Sequence, residues 1–318
     1  MENKSTKLYI APLQGLTDWI FRESFYEHIG SFDKSFSPFI RIENSEYLRP
    51  SQKNDISLEH NTFQNPVPQF LGNDIDSFLV FQDLCKSLNY NEVNINLGCP
   101  FIKITKQHLG SGLLQYPEEI DSLLESIFSK SDLKISIKCR LGQTDSSEFE
   151  KLIPIFNKYP LHELIIHART GIQLYKGDVQ LDAFSKYISQ IKHPVSYNGD
   201  INTVNDLENI IKTCPTIDSI MIGRGIIKNP FLLSEIRKEK ISNSDKIEKL
   251  QNFHLAMIDR CAQKYSGDFS ILKRFEELWE LHSEGFENGR KIFKQVKKCR
   301  NISQYKTIVF QEINSIFD

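Results

Sequence analysis

The sequence predicts a (β/α)8 TIM barrel followed by a small C-terminal helical bundle. Three observations lead there. Up to about residue 231, eight short apolar or β-branched runs alternate with longer helical stretches, the pattern of a closed parallel sheet wrapped in helices. No G-x-G-x-x-G follows the first strand, so a doubly wound sheet is only the fallback. Beyond about Leu233 the strand signals fade and helical spacing takes over.

Taken in order, the strand candidates are "LYIAPL", "SPFI", "PVPQFLG", "EVNINLG", "KISIKCR", "ELIIHAR", "PVSYNG" and "SIMIGRG". Helices are expected between them over Asp74–Leu88, Pro117–Ser129, Glu148–Lys158, Leu181–Gln190 and Val204–Lys212. Pro117 suits a first helical turn, and Asp145 to Ser147 suit a helix start. In the tail, Leu250, Phe253, Met257 and Cys261 recur at helical spacing, and Gly267, Gly285 and Gly289 mark turns. The expected domains are a barrel over 1–235 and a helical domain over 236–318.

Composition narrows the class. The 318 residues are 40 % hydrophobic and 25 % charged, ordinary for a globular chain. No apolar run approaches the roughly 18 residues of a membrane helix. "MENKSTKLYIAPL" passes from a short polar tail straight into a strand, without a signal-peptide layout, so a cytoplasmic location is expected; the expected state is a monomer. The six cysteines show no metal spacing; reduced thiols and no metal site are expected. From Lys238 onward 15 Lys and Arg face 12 Asp and Glu, a net +3, which leaves −5 for the rest of a chain whose total is −2. "RKIFKQVKKCR" carries six of those positive residues and no negative one. It reads either as a solvated helix face or as a surface for a polyanion.

In such barrels chemistry lies at the C-terminal strand ends, and polar residues collect there. They are Gln69, Asn96, Cys99, Lys138, Arg140, His167, Arg169, Asn198, Asp200 and Arg224. Strand residues two apart share a face, so Lys138 pairs with Arg140 and His167 with Arg169, while Cys139 and Ala168 point away. Cations in register on inward faces are costly without an anion to meet. "NGD" and "GRG" place Gly199 and Gly223 on the last two strands, the usual phosphate site of these barrels. A flavin mononucleotide fits this set, with Arg224 on the phosphate and Lys138 against the negative charge of the reduced ring.

The ordered motifs "APLQGLTDWIFR", "PVPQFLGND", "NINLGCP", "GSGLL", "SIKCRLG", "IIHARTGIQLYKG", "PVSYNGDI", "MIGRGIIKNPFL" and "KRFEELWEL" resemble the tRNA-dihydrouridine synthases along the whole chain. That family consists of FMN-dependent barrels with a helical RNA-binding domain. The chain departs from it at Leu13, where many members have methionine, and at Ala168, where many have glycine; the loop "FIKITKQHLGSGLL" is only loosely similar. The resemblance implies that Pro12 and Leu13 pack by the flavin ring. Gln69, Lys138 and His167 would hydrogen-bond the ring or its ribityl chain. Asn198, Gly199, Asp200, Gly223 and Arg224 would hold the chain and phosphate. Asn96, Arg169 and Arg140 would lie near the substrate uracil. Cys99 would be the proton donor, with NADPH as the transient reductant and tRNA as the partner. A mostly protonated thiol suits that role, since reducing the uracil C5=C6 bond needs a hydride at C6 and a proton at C5. The alternatives are an FMN barrel acting on a small molecule and a non-catalytic RNA-binding barrel.

Overall fold

The computed structural model describes residues 6–42 and 49–317; the polar tail expected over 1–5 lies outside them. The strands are β1 (Lys7–Ile10), β2 (Lys34–Ser35), β3 (Gln69–Phe70), β4 (Glu92–Leu97), β5 (Lys134–Arg140), β6 (Glu163–His167), β7 (Val195–Asn198) and β8 (Ser219–Ile222). All pairs are parallel, in the order β2-β1-β8-β7-β6-β5-β4-β3. Bridges from Phe36 to Val67 and from Ile40 to Phe70 join the segment after β2 to β3 and carry the ladder round the barrel.

Two strands differ from expectation. The second was expected over 37–40, but regular pairing falls on Lys34–Ser35, and Pro38 interrupts the segment beyond it. The third was expected over 66–72 and shrinks to Gln69–Phe70, because Pro66 and Pro68 have no N–H for the ladder.

The expected helices form with ends shifted by at most two residues: α3 (Ile75–Ser87), α5 (Pro117–Lys130), α6 (Glu148–Lys158), α7 (Leu181–Ile188) and α8 (Val204–Thr213). Pro117 occupies the first turn of α5. Thr203 caps α8 in a reciprocal capping box with Asp206. Short turns of helix, α2 (Pro50–Asn54), α4 (Ile102–Thr105), α9 (Arg224–Lys228) and α10 (Leu232–Ile236), fill connections.

The barrel interior is layered. At the bottom Lys34 reaches Glu92 at 2.7 Å and Glu163 at 3.3 Å, and Ser196 and Ser219 donate to Glu163. Above lies an apolar plug of Tyr9, Phe36, Val67, Ile165 and Met221. The plug separates the bottom charges from those at the mouth.

The tail forms α11 (Asn243–Lys264), α12 (Asp268–His282), α13 (Gly289–Val296) and α14 (Ile302–Phe317). Phe253 of α11 packs edge-on against Phe21 and Phe25 of α1 (Trp19–His28), so one apolar cluster runs across both parts. Arg274 of α12 donates to Leu16 O at 2.6 Å and to Asp18 at 3.1 Å. His282 Nδ1 meets Ile227 O at 2.6 Å. Gly289 is the first residue of α13 rather than a turn residue, and a Cβ there would lie 2.0 Å from Ser283 O, so close packing accounts for the glycine.

Candidate active site

The pleat of the strands turns Lys138 and Arg140 of β5 and His167 of β6 toward the barrel mouth, while Cys139 and Ala168 are wholly buried in the opposite layer. A cleft of about 800 Å3, counting its open mouth, lies there. Pro12 and Leu13 form one wall, Asn96 and Cys99 another, and Lys138, Arg140 and His167 a third. Asn198, Gly199, Asp200, Gly223 and Arg224 close the far side. Two residues expected at the ligand, Gln69 and Arg169, do not line the cleft.

Cys99 sits on a braced turn. Asn96 Oδ1 accepts from Gly98 N at 3.0 Å and Cys99 N at 2.9 Å. Asn96 Nδ2 donates to Gln69 Oε1 at 2.7 Å, and Gln69 Nε2 donates to Asn94 Oδ1 at 2.8 Å. Gln69 therefore lies behind the wall, its amide engaged at both ends, and orients Asn96. On the other side Ser111 donates to Cys99 O from both its backbone N and its Oγ. Arg140 Nε donates to Gly98 O at 3.0 Å. Gly110 has φ +57°, and a Cβ there would lie 2.5 Å from Cys99 O, so only glycine fits under the turn. Cys99 is 8 % exposed. Burial pushes its thiol up, more than the Phe101 N–H and the Arg140 and Lys138 cations pull it down. It is a thiol, not a thiolate, at neutral pH.

The cations outnumber their counter-charges. Lys138 Nζ donates to the neutral Asn198 Oδ1 at 2.9 Å, and burial followed by repulsion from Arg140 pushes Lys138 down to about 8. Burial, with Arg140 and Lys138 nearby, holds His167 well below its ordinary value, so the imidazole is neutral. The single acidic side chain on the described wall is Asp200. It is shared: Arg169 grips both its oxygens and Arg224 Nη2 reaches Oδ1 at 2.7 Å. Burial works against its carboxylate, and the two arginines more than offset that. Arg169 is 1 % exposed and also donates to Gly177 O, so it acts behind the wall, through Asp200 and the loop after β6.

The glycines at the far side differ in kind. A Cβ at Gly199 would strike the Tyr197 hydroxyl at 2.2 Å, so packing alone demands that glycine. At Gly223 a Cβ would meet only Ala11 and Leu13, at the ordinary distances of 3.5 and 3.8 Å. Packing does not require glycine at 223; its missing side chain leaves room in the cleft.

Sequence reasoning missed Tyr175. It lines the cleft from the loop after β6, with the Arg140 guanidinium 5.4 Å and that of Arg224 4.8 Å from its ring centroid. That loop has no periodicity to read, and an aromatic in "GIQLYKG" was the available signal. The Gly110–Ser111–Gln143 brace was also missed, because Ser111 and Gln143 are 32 residues apart.

Over residues 9–314 the chain matches the family model described as dihydrouridine synthase. It is 24 % identical to the tRNA-dihydrouridine(16) synthase of Neisseria meningitidis serogroup B, over 96 % of this chain and 94 % of that protein. It is 26 % identical to the probable tRNA-dihydrouridine synthase 2 of Bacillus subtilis, over 94 % of this chain and 92 % of that protein. It is 27 % identical to tRNA-dihydrouridine synthase B of Pasteurella multocida, over 81 % and 78 %. The match takes in the barrel, the cleft and nearly all of the helical tail, and on that extent the chain belongs to the dihydrouridine synthase family.

Proposed function

We infer that the protein is a flavin-dependent tRNA-dihydrouridine synthase, reducing the C5=C6 bond of a uridine in tRNA. The observation that carries the mechanism is the braced, protonated Cys99 thiol on the wall of a cation-rich cleft, in a chain whose family match is nearly complete.

The residues present fit FMN. Three cationic side chains (Lys138, Arg140 and Arg224) line a cleft whose one carboxylate among the described residues, Asp200, is already held by Arg224 and, from behind, Arg169, and Gly223 keeps space that packing does not need. Bound there, FMN supplies hydride chemistry toward uracil C6, with NADPH as reductant. Lys138 stands to meet the ring's negative charge, and His167, neutral, to offer a hydrogen bond. Pro12 and Leu13 supply an apolar wall. Arg224 is the phosphate donor, with Asp200 fixing its guanidinium and remaining free to accept from hydroxyls. Cys99 delivers the proton to C5 and recovers it from solvent. Asn96 and Gln69 hold that thiol in place, and Arg140 braces the same turn while facing the substrate side. A general acid must be protonated, and burial holds this thiol above its ordinary value, so turnover should persist through the pH range in which a free thiol already ionises, and fall only beyond it.

A barrel over 1–235 carrying the flavin and a helical domain over 236–318 carrying RNA affinity complete the proposal, with a monomer in the cytoplasm as its setting. No described helix is long and apolar enough to cross a membrane. The test is to incubate the purified protein with FMN, NADPH and unmodified tRNA and look for dihydrouridine by mass spectrometry. NADPH oxidation that does not depend on RNA, with no dihydrouridine formed, would point instead to a small-molecule reductase.

A further inference from the structure

Eight large apolar side chains are exposed among the described residues, and five of them lie in two loops at the mouth of the cleft. Phe101 (57 % exposed) and Ile102 (65 %) follow Cys99 and Pro100 after β4. Ile172 (61 %), Leu174 and Tyr175 lie in the loop after β6. Scattered apolar residues need no explanation, but a cluster at the rim of a site does.

The two loops are stitched into one surface. Ser111 binds Cys99 O on one side and Gln143 Oε1 on the other, at 2.7 Å. Gly171 packs so closely on this pair that a Cβ would lie 2.0 Å from Gln143 Oε1 and 2.7 Å from Ser111 Oγ. Ile172 N donates to Gln143 O at 2.9 Å, and Gln173 bonds Thr170 and Asp178 across the loop. Leu174 is held at φ +52°, a conformation costly for a leucine. Such strain persists only where the surroundings impose it, and it gathers at functional sites. The apolar tips are thus held outward by a tied loop. Lys103, Lys106 and Lys176 stand exposed among them, in no salt bridge among the described residues.

Cys99 is at the wall of the cleft, so a uridine reaches it only by leaving the base stack. The neighbours it leaves lose a stacking partner. Apolar and aromatic surface with interleaved cations is what unstacked nucleotides bind, bases on the side chains and phosphates on the lysines. Resting on the tRNA reading above, we propose that Phe101, Ile102, Ile172 and Leu174 form a rim that holds the nucleotides flanking the extruded uridine. The rim thereby favours the open RNA conformation over the stacked one.

The test compares FMN-loaded wild type with the variants F101S/I172S and I102S/I172S, all full-length, on an unmodified tRNA transcript. These positions are exposed, and circular dichroism checks the fold. Losing stacked contacts should weaken tRNA binding by about ten-fold or more and raise KM in step. The slope of log affinity against log salt should stay unchanged, because no phosphate contact is lost. Unaltered affinity and KM in both variants would overturn the rim, as would a loss of affinity accompanied by a shallower salt slope. Sedimentation decides the other occupant. If wild type self-associates, the variants do not, and RNA affinity is unchanged, the patch belongs to a second copy of this chain. If wild type itself neither binds nor reduces tRNA, the functional reading fails first and takes the rim with it.

Discussion

Lys138 and Lys264 are both lysines drawn out of water, and they respond in opposite directions. Lys138, at the barrel mouth, rests on the neutral oxygen of Asn198 and is pushed down to about 8 by burial and then by Arg140. Lys264, where the helical tail meets α1, sits 3.2 Å from the Asp18 carboxylate and is raised, because Asp18, with Tyr265 and Asp55, together more than offset burial. Arg274 shares that carboxylate and is raised as well. One region has its counter-charge built in, and the other stands short of an anion. The difference marks the mouth as the place for a charged ligand and the interface as a structural joint.

The largest effect tests whether the mouth performs chemistry in addition to binding charge. Cys99→Ala should lower uridine reduction by roughly 10² to 10⁴-fold, the usual worth of a general acid, with FMN retained and its reduction by NADPH intact. Wild-type turnover on tRNA would remove Cys99 from the reaction.

Breaking the joint should cost stability instead. Arg274→Met leaves Asp18 buried with a weaker partner, and loss of one member of a buried pair typically costs about 3–5 kcal/mol. Denaturant unfolding measures it. A loss under about 1 kcal/mol would place this ion pair with weak surface pairs.

Lys138→Met should behave in the opposite sense. The apo-protein should unfold no more easily than wild type, since a charge without an anion has been removed. FMN affinity should fall by about ten- to a hundred-fold, the worth of a charge-assisted hydrogen bond. Equilibrium titration of the apo-protein with FMN reads the second quantity, and unchanged affinity would refute the assignment of Lys138.

The smallest effect concerns the exposed basic run, which resembles neither region. Arg290, Lys291, Lys294, Lys297, Lys298 and Arg300 are all exposed or half-buried and enter no salt bridge among the described residues. It is not one three-turn helix, as its length suggests. Helix α13 ends at Val296, and Asn301, whose side chain accepts from Gln304 N, starts α14. Ile292 and Val296 face inward and Phe293 packs partly against the core. Replacing Lys294, Lys297 and Lys298 with alanine should reduce the salt slope of tRNA binding by up to about 0.9 per lost phosphate contact, with FMN content unchanged. Equal slopes would leave the run a solvated helix face.

Much of this was legible in the chain itself. Alternating strand and helix periods sufficed for the barrel, because each element carries its own hydrophobic period. Pairs two residues apart sufficed to turn Lys138, Arg140 and His167 inward and Cys139 and Ala168 outward, because the pleat is local geometry. What spacing does not determine is where a polar head ends. Gln69 and Arg169 lie on strand-end positions like their neighbours, yet Gln69 is consumed by Asn94 and Asn96, and Arg169 by Asp200 and Gly177. Tyr175 enters the cleft because a loop with Leu174 in a left-handed conformation is tied to Gln143 and, through Gly177 O, to Arg169. Asp18 and Arg274 meet across 256 residues of chain. Residue type and period determined the elements and the facing of their side chains. Hydrogen-bond partners brought together from distant segments decided which of those side chains line the cleft, since only the packed chain establishes which donors are already satisfied.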